Sequence, residues 1–367
     1  MKILEVIFNL SPGGAERFVV DLSNELAMTD EVILLAINKD IIDVENRNFY
    51  KFDLSPKVEY RCLQQPNGIS LKKIWTIYKA FKGINPDVIH LHGCPMPYFC
   101  ILAIILLCRR IKFFQTIHND LNNGYVNWFY KLLFGVLSRT GLYGIIALSE
   151  QNDEQVKRTY PNAKSVCIPN GRSPICRTSE FDKVKDEMRM YKLNEDSLIF
   201  IHVARFNPQK NQMLLIKSFN RFIECGANAD LVCIGVGYDS EEGKALQAQS
   251  CRRVHFIGPR KNISDYMLAS NIFCLSSDYE GLPITLIEAS MAGLPSISTP
   301  VGGVHGIIKN EINGIISNDH SEESYIQSLF YAYNNYKQLK INADIMKEKN
   351  MYTINKCAQS YRAFFEN

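Results

Sequence analysis

The chain has 367 residues, 46% of them hydrophobic and 22% charged, the make-up of an ordinary globular protein with room for about two domains. A formal net charge of only +3 excludes a dedicated nucleic-acid binder, whose affinity rests on many basic phosphate contacts. Eleven cysteines are scattered without any C-x-x-C pair, which excludes the usual zinc and thioredoxin patterns.

In chain order, "KILEVIFNL" reads as a strand and lacks the length and flanks of a signal peptide. Cysteines inside apolar runs (Cys100, Cys108, Cys233, Cys274) behave as small buried hydrophobes, so a reducing, cytoplasmic setting is expected. "AERFVVDLSNELAMT" follows as a helix and "EVILLAI" as a strand. The next helix, Ser70 to Gly83, puts Leu71, Ile74, Trp75, Tyr78 and Phe81 on one face and Lys72, Lys73, Lys79 and Lys82 on the rest.

In the strand "PDVIHLHG", His90 and His92 alternate and so point the same way. With no carboxylate or cysteine nearby to complete a metal site, a structural role is expected for them. "YFCILAIILLC" (98–108) has eleven apolar residues, well short of the ~20 that span a bilayer, and reads as a helix buried against a sheet. "IKFFQTIHN" is a strand ending at His118, "YVNWFYKLLFGVLSR" (Tyr125 to Arg139) is an aromatic helix, and "YGIIALS" is a further strand. Near-continuous Val/Ile/Leu strands between helices predict an α/β fold with a parallel sheet covered on both faces.

The pattern pauses at "IPNGRSPICRTSEF" (Ile168 to Phe181), a linker by its prolines and glycine. It restarts with "SLIFIHVARF", "ADLVCIGVG", "RVHFIGP", "NIFCLSS" and "LPSISTP". The predicted organisation is two Rossmann-like, doubly wound domains, 1–170 and 180–350, facing across a cleft. A last amphipathic helix, about 352–367, packs back onto the first. Ligands of such sheets bind beyond the strand C-terminal ends.

Two stretches of the second half carry chemistry. "VARFNPQKN" follows a strand and offers Arg205 and Lys210 on either side of an Asn-Pro turn. A guanidinium fork and an ammonium suit a diphosphate, and each charge at ~4 Å contributes on the order of 4 kcal/mol before desolvation. The other stretch is "SSDYEGLPITLIEASMAGLPSISTPVGG". Here a strand leads through a loop bearing Glu280 into a helix that starts near Pro283, carries Glu288 and stops at Gly293. A helix N-terminus is a ready phosphate site, so the two carboxylates flank it as candidate sugar ligands.

Together these residues resemble the retaining glycosyltransferases of the GT-B fold, specifically family 4. "YEGLPITLIEASMAGLPSISTPVGG" looks like that family's Glu-x7-Glu signature and "VARFNPQKN" like its diphosphate motif. "GGAER", "TIHND" and "IPNG" fall in the same order along nearly the whole chain. The resemblance implies that Arg205 and Lys210 bind the donor diphosphate and Glu288 the nucleotide ribose. It assigns Glu280 to the donor sugar, with backbone groups at Gly281, Leu282 and Ile284 assisting, and His118 to the same sugar near the reaction centre. Gly13 and Gly14 would let the backbone close over the phosphates; without the resemblance they make a plain strand-to-helix turn.

The resemblance further implies a metal-independent, retaining hexosyltransferase with no protein nucleophile and no cofactor. A nucleotide sugar, UDP-linked by expectation, serves as co-substrate. The acceptor is expected to be a glycan, lipid-linked as in surface polysaccharide assembly. One departure is "VHG" at Val304 to Gly306, where family members often carry Val/Ile-Pro-Glu. Basic amphipathic helices can lie on anionic membranes, so Ser70 to Gly83 and Tyr125 to Arg139 are candidate surfaces for peripheral attachment to the inner face of the plasma membrane. Against this stand a sugar-nucleotide epimerase, a soluble-sugar transferase and a non-catalytic sugar-binding protein. A nicotinamide dehydrogenase is disfavoured, because "GVGYDS" keeps only the first two glycines of the dinucleotide fingerprint.

Overall fold

The computed structural model describes residues 1–39, 49–68, 70–93, 111–118 and 143–366. The apolar run 98–108 and the aromatic segment 125–139 lie outside the described residues. The chain divides into two compact units, Met1–Ser173 with Tyr352–Asn367, and Pro174–Met351.

The first unit holds seven strands: β1 (Lys2–Ile7), β2 (Glu31–Asn38), β3 (Val58–Gln65), β4 (Val88–His92), β5 (Lys112–Ile117), β6 (Tyr143–Ala147) and β7 (Lys164–Cys167). All neighbours are parallel, in the order β3-β2-β1-β4-β5-β6-β7. Its described helices are α1 (Gly14–Leu26), α2 (Leu71–Ile84) and α3 (Glu150–Thr159). One face of the sheet packs Leu4, Val6, Ile89, Leu91 and Phe113 against Ile74, Ile77 and Phe81 of α2 and Val156 of α3. Ser70 caps α2, accepting from the Lys73 amide at 3.1 Å.

The second unit has six parallel strands: β8 (Leu198–Val203), β9 (Ala229–Ile234), β10 (Val254–Phe256), β11 (Ile272–Leu275), β12 (Ser296–Ser298) and β13 (Gly314–Ile316). Their order is β10-β9-β8-β11-β12-β13. Between and after them run α4 (Phe181–Met190), α5 (Gln212–Glu224), α6 (Glu241–Ala248), α7 (Ile263–Leu268), α8 (Ile284–Met291), α9 (Val304–Ile307), α10 (Glu322–Asn334) and α11 (Tyr336–Glu348).

The final helix, α12 (Ile354–Glu366), belongs to the first unit. It packs against α1, and its buried Tyr361 and Phe365 lie on the face of the sheet where Glu5, His90 and His92 point. The segment leading out of β7 is tied to it. The Arg172 amide donates to Tyr352 O at 2.8 Å, the Ile354 amide to Arg172 O at 3.0 Å, and the Arg172 guanidinium pairs with Asp21 of α1.

In both units the strand order reverses next to the first strand, between β1 and β4 and between β8 and β11. A doubly wound sheet opens a crevice at such a point, beyond the strand C-terminal ends. The fold class is therefore the one expected from the sequence, two Rossmann-like units. Strands β3, β7 and β13 were not anticipated. All three are edges of their sheets; β3 and β7 are only partly buried and β13 is three residues long, so none shows a long continuous apolar run.

Helix α2 corrects the expected division of its faces. Lys73 is not on the solvated side: it is 2% exposed, and its Nζ donates to Asn38 Oδ1 at 3.0 Å and Pro66 O at 3.2 Å. Leu71 (85% exposed) and Trp75 (51%) face solvent instead. The long lysine stem reaches past the helix to the end of the sheet, a direction that periodicity does not record.

Candidate active site

In the second unit, the loop after β8 carries Arg205 and Lys210, and the loop after β11 carries Glu280, so the switch point brings the two motifs together. Asn207 caps the short turn Pro208–Lys210, accepting from the Gln209 amide at 2.9 Å. Hydrogen bonds then stitch the loops to each other: the Asp278 amide donates to Gln209 O at 2.9 Å, Gln209 Nε2 to Tyr279 O at 2.9 Å, and Ser276 Oγ to Lys210 O at 2.8 Å. With the backbone fixed on both sides, Lys210 Nζ lies 2.5 Å from Glu280 Oε1, which also accepts from Ser277 Oγ at 2.7 Å. Arg205 is exposed and its carbonyl accepts from Gln212 Nε2 at 2.9 Å.

Below this loop pair lies His202, wholly buried on β8, its Nδ1–H donating to Cys274 O at 2.9 Å. Burial first, and then the nearby Lys210 charge, lower its pKa to about 4, so it is a neutral prop at pH 7. Neither His202 nor Gln212 was singled out in the sequence, although a histidine inside "LIFIHV" is a signal of a satisfied polar contact in a buried strand.

Helix α8 begins at Ile284 after Pro283, with no side-chain cap. Its first amides therefore lack intrahelical acceptors and its positive dipole end is uncovered by a capping side chain. Gly281, Leu282 and Ile284 are buried beside it. Glu280 and Glu288, each 6% exposed, sit before the first turn and on the second turn. The Gly-Gly after β12 closes over the same loop: the Gly303 amide donates to Gly281 O at 2.7 Å. Gly302 has φ +45°, and a Cβ there would run into the carbonyl oxygens of Glu280 and Gly281. His305 is exposed on α9.

In the first unit, Gly13 precedes α1 and Gly14 opens it, on the loop leaving β1. His118 directly follows β5 and keeps a partly exposed edge. Phe18 of α1 lies edge-on to both His118 and His92, at 5.9 and 6.2 Å between ring centres.

His90 and His92 do share a face, but the expectation that no carboxylate stands near them is wrong. The parallel register of β1 and β4 sets Glu5 opposite His90. Its Oε2 lies 2.6 Å from His92 Nε2 and 2.8 Å from His90 Nδ1, all three side chains being wholly buried. The trio has metal-ligand chemistry. Ligand atoms about a zinc ion, however, stand about 3.3 Å apart at the usual bond lengths, whereas His92 Nε2 and Glu5 Oε2, 2.6 Å apart, are at the distance of a shared proton. Burial would raise the pKa of Glu5, yet the two imidazoles, His90 foremost, hold it at about 2. Burial and His90 push His92 down to about 4 against the pull of Glu5. His118 is likewise held well below its ordinary value by burial and then by His92 and His90. A lone glutamate in the middle of an apolar strand was the available signal for Glu5.

The second unit thus presents a lysine paired with a glutamate before a helix start without a side-chain cap, with an exposed arginine on the lysine's loop, and the first unit presents a histidine just after β5. Comparison with known proteins identifies the family. Residues 12–174 match the family described as Glycosyltransferase Family 4, and residues 183–348 that described as Glycosyl transferases group 1. An uncharacterized glycosyltransferase of Methanocaldococcus jannaschii is 27% identical over 62% of this chain and 59% of its own length, so the match leaves two-fifths of that relative uncovered. The UDP-Gal:alpha-D-GlcNAc-diphosphoundecaprenol alpha-1,3-galactosyltransferase of Escherichia coli is 25% identical over 71% of this chain and 69% of its own. Among solved structures, Anabaena Alr3699/HepE in complex with UDP and glucose superimposes with a TM-score of 0.78 at 17% identity, covering all of both chains. That likeness is one of fold, GT-B.

Proposed function

The chain belongs to the glycosyltransferases of group 1 and family 4, and from that premise we propose that it moves a hexose or N-acetylhexosamine from a UDP-sugar to a lipid-linked glycan with retention of configuration. The observation that carries this reading is the Lys210–Glu280 pair, held at 2.5 Å before the uncapped start of α8 with Arg205 exposed on the loop after β8. Lys210 and Arg205 take the diphosphate and stabilise the charge that develops as it leaves. The first amides of α8 add a second source of positive potential. Glu288 accepts the ribose hydroxyls, and Glu280 and His118 hold the donor sugar.

The acceptor oxygen bonds to the anomeric carbon on the face where the carbon–oxygen bond to the diphosphate breaks, and the acceptor's proton passes to the departing phosphate oxygen, with no protein nucleophile. Arg205, the lysine shared with Glu280 and the first amides of α8 offset part of the leaving group's charge, and the proposed reaction uses no metal. The choice of UDP and of a lipid-linked acceptor draws on what the Escherichia coli relative's name states for that enzyme. The outer face of α2 is the proposed membrane contact: Trp75 stacks on Tyr78 at 4.9 Å, with the Lys79 ammonium over Trp75 and the Lys82 ammonium over Tyr78.

Thermal-shift titration of the full chain with UDP, GDP and ADP tests the reading. Stabilisation by UDP that is lost in Lys210→Ala and Glu288→Ala is the expected result. A folded wild-type protein stabilised by none of the three overturns it. Proton NMR of the first-formed product then reads the anomeric configuration.

A further inference from the structure

The first unit contains a buried polar chain that the proposed donor contacts do not use in full. Tyr361 OH lies 3.0 Å from Thr116 Oγ1, which lies 2.8 Å from His90 Nε2. His90 Nδ1 and His92 Nε2 both face Glu5 Oε2, and His92 Nδ1 lies 3.1 Å from His118 Nε2. Four elements, β1, β4, β5 and α12, contribute to one line of contacts that ends on a partly exposed ring.

Proton positions along this line follow from what each atom can do. An ionised carboxylate only accepts, so the nitrogen of His92 that faces Glu5 must carry a proton. A neutral imidazole has one N–H, which leaves Nδ1 of His92 bare. That bare nitrogen faces His118 Nε2, which must therefore be the donor. We propose that Glu5 and His92 are positioning residues that lock His118 in its Nε2–H tautomer and leave its Nδ1 as a hydrogen-bond acceptor. Resting on the proposed function, this makes His118 accept a hydrogen bond from a donor-sugar hydroxyl rather than donate one.

Two further observations agree. Each of His92 and His118 is held neutral at pH 7 by burial, as the single-proton argument requires. Phe18, wholly buried, lies edge-on to the His118 ring at 5.9 Å and restricts its rotation. A histidine that served only to fill space would need neither a fixed tautomer nor a carboxylate two contacts away. Buried second partners of this kind orient a ring and set which nitrogen is protonated.

The test is a long-range proton–nitrogen correlation spectrum of the full chain with nitrogen-15 histidine, at pH 7.5 and without substrate. The His118 ring is identified by the signals lost in His118→Asn. A protonated-type Nε2 and a bare-type Nδ1 are expected; the reverse pattern, averaged shifts or a doubly protonated ring overturns the proposal. In Glu5→Met, similar in volume but unable to accept, His118 should populate both tautomers, at least about 20% of the minor one. A Glu5→Met spectrum identical to wild type overturns the role of Glu5. Should that variant fail to fold, His92→Asn, whose Oδ1 can still accept near the place of Nδ1, is expected to keep the wild-type pattern, and its loss overturns the role of His92. Stoichiometric zinc in the purified protein by elemental analysis would make the trio metal ligands and overturn the scheme. Since no readout needs turnover, a failed transferase assay leaves this result intact.

Discussion

Lys210 and Glu280 neutralise each other: the ammonium lies 2.5 Å from a carboxylate that is 6% exposed and that Ser277 also contacts. An incoming diphosphate must therefore share the lysine with Glu280, and the pair sets the cation's position before any ligand arrives. Preorganised charge of this sort costs no reorganisation at the moment of reaction.

Removing the lysine should have two separable effects. Lys210→Ala is expected to lower kcat by about 10²–10³-fold and to lower stability by about 1–3 kcal/mol, because among the described residues Glu280 keeps only the Ser277 hydroxyl as a side-chain partner. Glu280→Gln keeps an acceptor for both partners and should cost under about 1 kcal/mol. Urea unfolding beside UDP-release kinetics checks both, and equal stability losses in the two variants would contradict the assignment.

Gly302 is replaceable only at a cost. Alanine there would combine φ +45° with a Cβ directed at two carbonyl oxygens. Gly302→Ala is expected to destabilise by about 1–3 kcal/mol and to raise the KM for donor, since the Glu280 loop must move. Gly303→Ala, where no left-handed backbone is required, is the control, and equal effects of the two would count against a steric cause.

Acid should weaken the fold in a defined window. His202 titrates near 4 when folded and near 6.5 when unfolded, so between those values the unfolded chain binds the extra proton. Stability is then fully present above about pH 6.5 and falls as pH drops toward 4, by on the order of a few kcal/mol. His92 shifts in the same sense and acts in the same window. Glu5, depressed to about 2, adds a further loss only below about 4.5. Denaturant titrations at stepped pH should show this slope, and it should flatten in His202→Asn.

Membrane binding through the proposed α2 face should be separable from catalysis. The double variant Trp75→Ser, Lys79→Glu changes side chains on the exposed face and is expected to weaken co-sedimentation with phosphatidylserine vesicles by at least about fivefold, a basic side chain near such a surface contributing about 1 kcal/mol. UDP binding should be unchanged. Retention of vesicle binding would move the contact elsewhere.

The continuous apolar strands and the strand–loop–helix turn around Pro283 could be read directly, because strand burial and a helix start are local in sequence. What was hidden is what pairing creates. Glu5 and His90 are 85 positions apart and meet only because β1 and β4 are parallel neighbours in one register. Lys73 was misplaced for a similar reason: its acceptors Asn38 and Pro66 lie on other elements, and periodicity describes only a helix's own faces. His118 was found through a motif, while Thr116 and Tyr361, which end the same chain of contacts, had no local mark.

The return of α12 to the first sheet imposes an order on synthesis. Tyr361, Phe364 and Phe365 cover Phe114 and the His90 ring, and Lys112 donates to Glu366 O at 2.8 Å, yet these partners emerge from the ribosome only after all of residues 174–351. Domains generally fold as units, the N-terminal one first. Here the first-made half waits with an apolar face and the Glu5 carboxylate unsealed while the second closes on its own core. The order of completion runs opposite to the order of translation, and that waiting half is where a nascent chain would most need a chaperone.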